Sequence, residues 1–386
     1  MTRLGSVLTD LVDCEHKTAP LDDCGQFFAV GTPAMAGNVI DYSQARRISQ
    51  ETYRAWTRRL SPRAGDLLLA REAPVGPVVE IPAAENVAPG QRTVLMRPDA
   101  HAVDPKYLFY ALSAPDTQAR LREKAAGSTV AHLNVADIRA FEFPWAFPAI
   151  PAQRAIAEVL GALDDKIAAN TELANAIDGL CEALLDRFRG HGDTTLARIA
   201  TVNGETVKPG RGNLQYLDIS SVSTGGYSWP APIPWAEAPG RARRVVKAGD
   251  TVWSTVRPNR RSHALVLDEG LIGSTGLAVI TPTTAGPAFV YEATKTAEFT
   301  AYLEAVAEGS AYPAVRAERF LQAPVPNVGT EDRERFESVA FPARLRAHAA
   351  AVESRQLASL RDSLLPHLMS GRITVREAEK TVEEVL

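Results

Sequence analysis

No apolar run in this 386-residue chain approaches the ~18 residues needed to span a membrane, so no membrane partner is expected. The opening MTRLGSVLTDLVDC has neither the long apolar stretch nor the small-residue cleavage site of a secretory leader. Cysteine is scarce: Cys14, Cys24 and Cys181 form no CxxC pair. That argues against a disulfide framework or a zinc site and, with the missing leader, suggests a reducing cytoplasm. An excess of one charge is lacking as well. Lys and Arg number 42 against 46 Asp and Glu, a net charge of −4, so a surface for nucleic acid would have to be a local patch.

Catalytic signatures are also sparse. There is no GxxxxGK[ST] loop, no GxGxxG after a strand, no N-P-P-[FYW] or D-P-P-Y element, no HxxxH and no G-x-S-x-G. One outline of a metal-dependent nuclease occurs, in RPDAHAVDPK, with Pro98-Asp99 followed by Asp104-Pro105-Lys106. Its parts are too close for the usual strand-borne geometry. Asp104 reads better as a helix cap with Pro105 in the first turn.

What the chain does have is ordinary globular content, 45% hydrophobic and 23% charged, in a length that suggests two or three units. Near the middle, IPAQRAIAEVLGALDDKIAAN opens a long helical pattern. Ile156, Leu160, Leu163, Ile167, Asn170, Ala174, Ile177, Cys181, Leu184 and Phe188 recur at steps of four and three, a seam of more than four heptads. Such a seam requires a partner helix. Asn170, polar in an apolar row, reads as a residue that fixes register.

The partner follows from an internal repeat. The turns RAGD and KAGD place Gly65-Asp66 and Gly249-Asp250 at an offset of 184; KYLFYAL matches AFVYEAT at 182. AAGSTVAHLNVADIRAFEFPWAF matches AEGSAYPAVRAERFLQAPVPNV at 182 as well, and Ile177, Leu180 and Leu184 have the spacing of Leu357, Leu360 and Leu364. Several matches in one order make a duplication. The second helix is expected at about 343–370, started or kinked by Pro342, with Leu345 and Val352 leading into Leu357 across a register break. Strands are expected at DLLLAR, PVVEI and TVLMRP, and again at DTVWSTV, HALVL and GLAVIT. Each set is followed by a helix stopping at Gly127 or Gly309. The predicted fold class is α+β: two similar α/β domains in tandem, separated by two long helices in an antiparallel coiled coil with pseudo-two-fold symmetry. The domain boundaries are 1–149, a helix at 150–192, 193–330, a second helix at 331–372, and a charged tail at 373–386.

The central motif IPAQRAIAEVLGALDDKIAANTELANAIDGL and the later LASLRDSLLPHLMSGRITV resemble the specificity subunit of type I restriction–modification systems. FFAVGTPAMAGNVID and both A-G-D turns extend the resemblance over nearly the whole chain. The resemblance implies a non-catalytic DNA-recognition subunit with two target-recognition domains, each reading half of a bipartite duplex site. It implies two methyltransferase subunits docked on the helices and nuclease–translocase subunits joining for cleavage. S-adenosylmethionine and ATP would be held by those partners, not by this chain. The helical interface would use Ile156, Leu160, Leu163, Ile167, Asn170, Ile177, Leu184, Leu357, Leu360 and Leu364. A rise of roughly 50 Å from Ile156 to Phe188 would hold two readers about one to one and a half DNA turns apart.

Candidate readers follow from base-edge chemistry, in which Arg suits guanine, Asn suits adenine and Glu can accept from cytosine. STVRPNRRSH offers Arg257, Asn259, Arg260 and Arg261; AREAPVGP offers Arg71 and Glu72; GTPAMAGN offers Thr32 and Asn38. Arg243 and Arg244, beside Arg241, suit phosphates. Trp229, Trp235 and Trp253 read as core. The rival from another class is a coiled-coil scaffold that binds only proteins.

Overall fold

The structure is a computed structural model that describes residues 1–125, 131–190, 192–309 and 312–384. It forms two compact units, Met1–Ile167 with Arg355–Leu386, and Ala168–Ser354. Mixed helix and strand fill both.

In the first unit, four antiparallel strands lie in the order Leu8–Asp13, Thr93–Pro98, Leu67–Arg71, Val75–Glu80. The run LLLA is apolar throughout because both faces of this sheet are covered, and side chains alternate between them. Leu67 and Leu69 join the core built on the helix Pro105–Ser113. Leu68 and Ala70 join a second core with Val30, Met35 and Val87. The second unit repeats the design, with Ala200–Val202, Leu277–Pro282, Thr251–Ser254 and His263–Leu265 in the corresponding order. Trp253, Ala278 and Ile280 face one core, Val252 and Val279 the other.

The repeated A-G-D turn has a common mechanism. Gly65 and Gly249 both adopt positive φ, 84° and 94°, a region that favours glycine, and both abut the proline that opens the next helix, Pro105 or Pro287. The buried Asp66 and Asp250 each accept a hydrogen bond from the backbone N–H three residues earlier, Arg63 at 2.9 Å and Lys247 at 2.8 Å.

Asp104 caps the helix Pro105–Ser113 by accepting from Tyr107 N–H at 3.0 Å, and Lys106 pairs with Glu80 at 2.5 Å. Asp99 accepts from His101 N–H, so the nuclease outline is occupied with local turns. In the second copy Gly286 stands in the cap position, and Glu337 of the long helix Thr330–Ser370 supplies the missing carboxylate. It accepts from Ala288 N–H at 3.1 Å and Phe289 N–H at 2.9 Å. A Cβ on Gly286 would fall 2.0 Å from the Glu337 carboxyl carbon, so the glycine makes room for the substitute cap.

The two long helices span Ile150–Phe188, 39 residues, and Thr330–Ser370, 41 residues. They pair antiparallel: in the second unit Asn170 meets Ala350 while Asp178 meets Arg344. Three expectations need correction. The second helix begins at Thr330, and Pro342 lies inside it. Its seam has no register break: Phe336, Ala340, Ala343, Ala347, Ala350, Ser354, Leu357, Arg361, Leu364 and Leu368 continue the four–three steps. The seam was hidden because alanines fill its middle, while Leu345 and, on the first helix, Leu180 are exposed at 44% and 46%. Nor does the helix Ala297–Ala305 run to Gly309, which sits beyond it at φ 102°. Gly127, Val385 and Leu386 lie outside the described residues. The tail helix Val375–Glu383, begun by a Thr374–Glu377 capping box, buries Ala378 and rests Val375 and Val382 on the first unit's core.

Candidate nucleic-acid interface

Of the first-unit candidates, two are consumed by the fold. Thr32 is buried at 5% exposure, closed off at the start of the 3-10 turn Thr32–Asn38. Arg71 is turned inward, its Nη1 donating to the Leu133 carbonyl at 3.0 Å and its Nε 3.2 Å from Asp13. Both are therefore withdrawn as base contacts. Asn38 is at positive φ and its Oδ1 accepts from Val78 N–H at 3.0 Å, so its amide pins the turn to the strand Val75–Glu80. Glu72 pairs with Arg92 at 3.3 Å and stays partly exposed.

The second-unit loop is different in kind. It leaves the strand Thr251–Ser254 and makes a 3-10 turn, Pro258–Arg260, flanked by Arg257 and Arg261. Both flanking residues are left-handed, φ 53° and 51°, which is uncommon for a residue with a side chain and marks a loop held by its surroundings. The holds are visible. Arg257 N–H donates to the Pro313 carbonyl at 2.7 Å, and its guanidinium lies over the Tyr312 ring, 4.6 Å from the centroid. Arg261 Nη2 donates to the Lys295 carbonyl, and Thr224 Oγ1 donates to the Arg260 carbonyl at 3.3 Å. Arg257 and Arg261 are thus engaged with the protein, and Asn259 and Arg260 are presented outward. Arg243 and Arg244 are half-buried on the strand Ala242–Val246; Arg243 turns back to the Ala242 carbonyl. Trp253 is wholly buried and Trp229 rests on the neighbouring core, while Trp235 lies in a 3-10 turn beside Gly210.

Along the helices, Ile156, Leu160, Leu163, Ile177, Leu357 and Leu364 are buried, with Ile167, Leu184 and Leu360 half-buried. Asn170 is buried and donates through Nδ2 to the Ala350 carbonyl at 3.2 Å, the Glu353 carboxylate at 2.8 Å and the Ser354 hydroxyl at 3.2 Å. Ala350 is its counterpart in the repeat, 180 residues on.

Sequence reasoning missed two polar locks. In the first unit Tyr110 donates to Asp164 at 2.6 Å, and Asp164 also takes Arg361 at 2.6 Å. In the second, Arg344 pairs with Glu292 and, at 2.6 Å, with Asp178, while Lys295 bridges the same two acids. Tyr110 and Glu292 are repeat counterparts, as are Asp164 and Arg344, so one slot is filled with opposite polarity. The readable signal was Glu292, alone among apolar residues in PAFVYEAT, which demands a cation. Burial pushes the Tyr110 and Tyr291 hydroxyls above their ordinary range, so both remain protonated, and Tyr110 serves as the donor to Asp164.

His263 closes the arginine loop. It stacks on Trp253 at 4.7 Å and its Nδ1 donates to the Arg261 carbonyl at 2.6 Å, leaving buried Nε2 as an unprotonated acceptor. Burial pushes its pKa down to about 4; Lys295 and Arg261 add to this, while the Arg261 carbonyl bond and Asp178 oppose it. The folded state thus prefers neutral His263, and the unfolded chain takes up its proton first as pH falls. Its share of stability is complete above pH ~6.5 and is lost between there and pH ~4, by about 3 kcal/mol. His263→Phe should flatten that limb of a urea-midpoint profile; an unchanged slope would remove His263 as its source.

A family model of the type I restriction modification DNA specificity domain matches residues 14–178. These residues are similar to such a domain, over less than half of the chain. The match starts just after the first strand and ends within the first long helix, so it takes in all four first-unit candidates, the other three strands of the sheet and the first helix's seam as far as Ile177. Among solved structures, the S subunit of a type I restriction–modification system from M. genitalium aligns over 95% of this chain and 95% of its own, at 17% identity and TM-score 0.61. That likeness extends a shared fold over the second unit as well. The HsdS subunit from Thermoanaerobacter tengcongensis aligns over 96% of each chain at 16% identity and TM-score 0.35, too low to speak to shape. No curated protein matches the chain. No described helix is long and apolar enough to cross a membrane.

Proposed function

We propose that the chain is the DNA-recognition subunit of a cytoplasmic type I restriction–modification complex, with each unit reading one half of a bipartite duplex site. The observation that carries this is the repetition, in the second unit, of the strand order of the specificity domain. Two units built alike on two long continuous helices suit a split target, because binding at one half makes the second contact effectively intramolecular. Base contacts in the second unit are assigned to Asn259 and Arg260, with Arg257 and Arg261 holding their loop and Arg243 and Arg244 near the backbone. Glu72 and the rim around Asn38 are the first-unit candidates that remain. The chain itself does no chemistry in this reading. Two methyltransferase subunits bring S-adenosylmethionine, nuclease–translocase subunits bring ATP, and both dock along the exposed flanks of the helices, where Leu180, Val339 and Leu345 lie.

The test is a base-modification map of DNA from cells expressing the chain with its methyltransferase, before and after exchange of residues 193–330 for those of a relative. A split methylated motif in which only one half changes is the expected result. A stable complex that methylates no motif would leave a protein-binding scaffold as the better reading.

A further inference from the structure

We propose that the segment 43–63 of the first unit is its contact with the phosphate backbone of duplex DNA, with Arg46, Arg54 and Arg63 supplying the charge. The proposal rests on the DNA-recognition reading above and names residues that reading did not.

SQARRISQETYRAWTRRLSPR contains six arginines, no lysine and one acid, Glu51, in a chain where acids outnumber bases. Solvated faces ordinarily intersperse both signs. All six arginines are exposed. Glu15 takes up Arg58 and Arg59 at 2.9 and 3.7 Å, and Arg47 lies over Phe28 while donating to the Asp23 carbonyl. Arg46, Arg54 and Arg63 have no ion-pair partner among the described residues, so their charge faces solvent.

The fold also holds the segment still. Arg46–Ile48 pairs with Phe27–Val30, and the helix Gln50–Trp56 starts at Ser49, whose hydroxyl accepts from Thr52 N–H at 3.2 Å. Tyr53 stacks on Phe27 at 4.4 Å, and Tyr53 and Trp56 rest on the small core of Ala19, Ala29, Ile48 and Ala88. An ordered strand, helix and turn therefore carry the guanidinium groups, which suits bidentate phosphate recognition better than a loose tail would.

The repeat supplies an independent argument for Arg63. At the 184-residue offset of the A-G-D turns, Arg63 corresponds to Lys247, which pairs with Glu205, and Arg59 to Arg243, while Arg46 and Arg54 fall on Pro230 and Ala238. Arg63 and Lys247 make the same backbone bond to their turn aspartates. Both units thus enter the same turn through a basic segment, although their loops beyond it have no common sequence. A feature kept in both while readers differ suits the part of DNA that is the same at every site, its backbone.

The experiment uses the full chain in complex with its methyltransferase, titrated onto a duplex bearing the mapped motif and onto one lacking it, between about 50 and 200 mM salt. R46A/R54A/R63A should weaken binding to both duplexes by similar factors. Three lost phosphate contacts at a slope of about 0.9 each mean that the wild type loses roughly 40-fold more affinity than the variant over this range. The triple lysine variant should restore most of the slope, and the methylated motif should be unchanged. If the triple alanine variant fails to fold, the three single variants decide, each expected to lower the slope by about 0.9. Wild-type affinity and slope in the variants would overturn the proposal, as would a loss confined to the motif duplex, which would place these arginines on bases. A wild-type complex that binds neither duplex would overturn the DNA-recognition reading itself.

Discussion

Arg344→Met should destabilise the second unit by about 3–5 kcal/mol, the range for removing one member of a buried ion pair. The cause is what it leaves behind. Glu292 is 1% exposed, and its carboxylate would keep only Lys295, a partner shared with the half-exposed Asp178. Glu292→Leu combined with Arg344→Met removes both buried charges and should recover most of the loss, because an apolar replacement of a whole pair is often neutral. Urea denaturation of the four proteins in the cycle gives the coupling directly. If the double variant is as unstable as the sum of the singles, Glu292 and Arg344 do not act as a pair.

Trp253→Ala carries the other large effect, about 3–5 kcal/mol for emptying a fully buried indole site. Trp253 stacks on His263 and lies 5.5 Å from Phe299, so the cavity would open between the sheet and the helix Ala297–Ala305. Trp253→Phe should cost much less. The comparison also separates core from reader: a base-stacking tryptophan would lose DNA affinity on truncation with little change in the denaturation midpoint. A shift of less than about 1 kcal/mol would contradict the core assignment.

Where the sequence spoke clearly, it did so through periodicity and repetition. DLLLAR, PVVEI and TVLMRP became neighbouring strands because buried sheets need unbroken apolar runs, and their second copies took the same order. The first helix was legible from its large aliphatic residues. The second was not, since Ala340, Ala343, Ala347 and Ala350 also occur on solvated helices and do not stand out as a seam. Candidate contacts were less legible still. A sequence shows that Arg71 is charged, but not that Asp13 and the Leu133 carbonyl lie ready to bind it. It shows Thr32 in a turn, but not which side of the turn is covered. Conversely, the arginines of 43–63 do not show in a net charge of −4, because acids elsewhere in the chain offset a short basic stretch.

The first unit is discontinuous in the chain, and synthesis runs in one direction. Its core includes Leu357, Leu364, Leu365, Leu368, Met369 and Ala378, all from beyond residue 354, while the second unit is a single unbroken stretch. At ~5–20 residues per second, a ribosome takes roughly 10–40 s to pass from residue 167 to residue 355. Throughout that interval the apolar face of Ile156, Leu160 and Leu163 has been made and its cover has not. The domain that is translated first is therefore the one that finishes folding last, and a nascent chain must wait, or be chaperoned, until its own far end arrives.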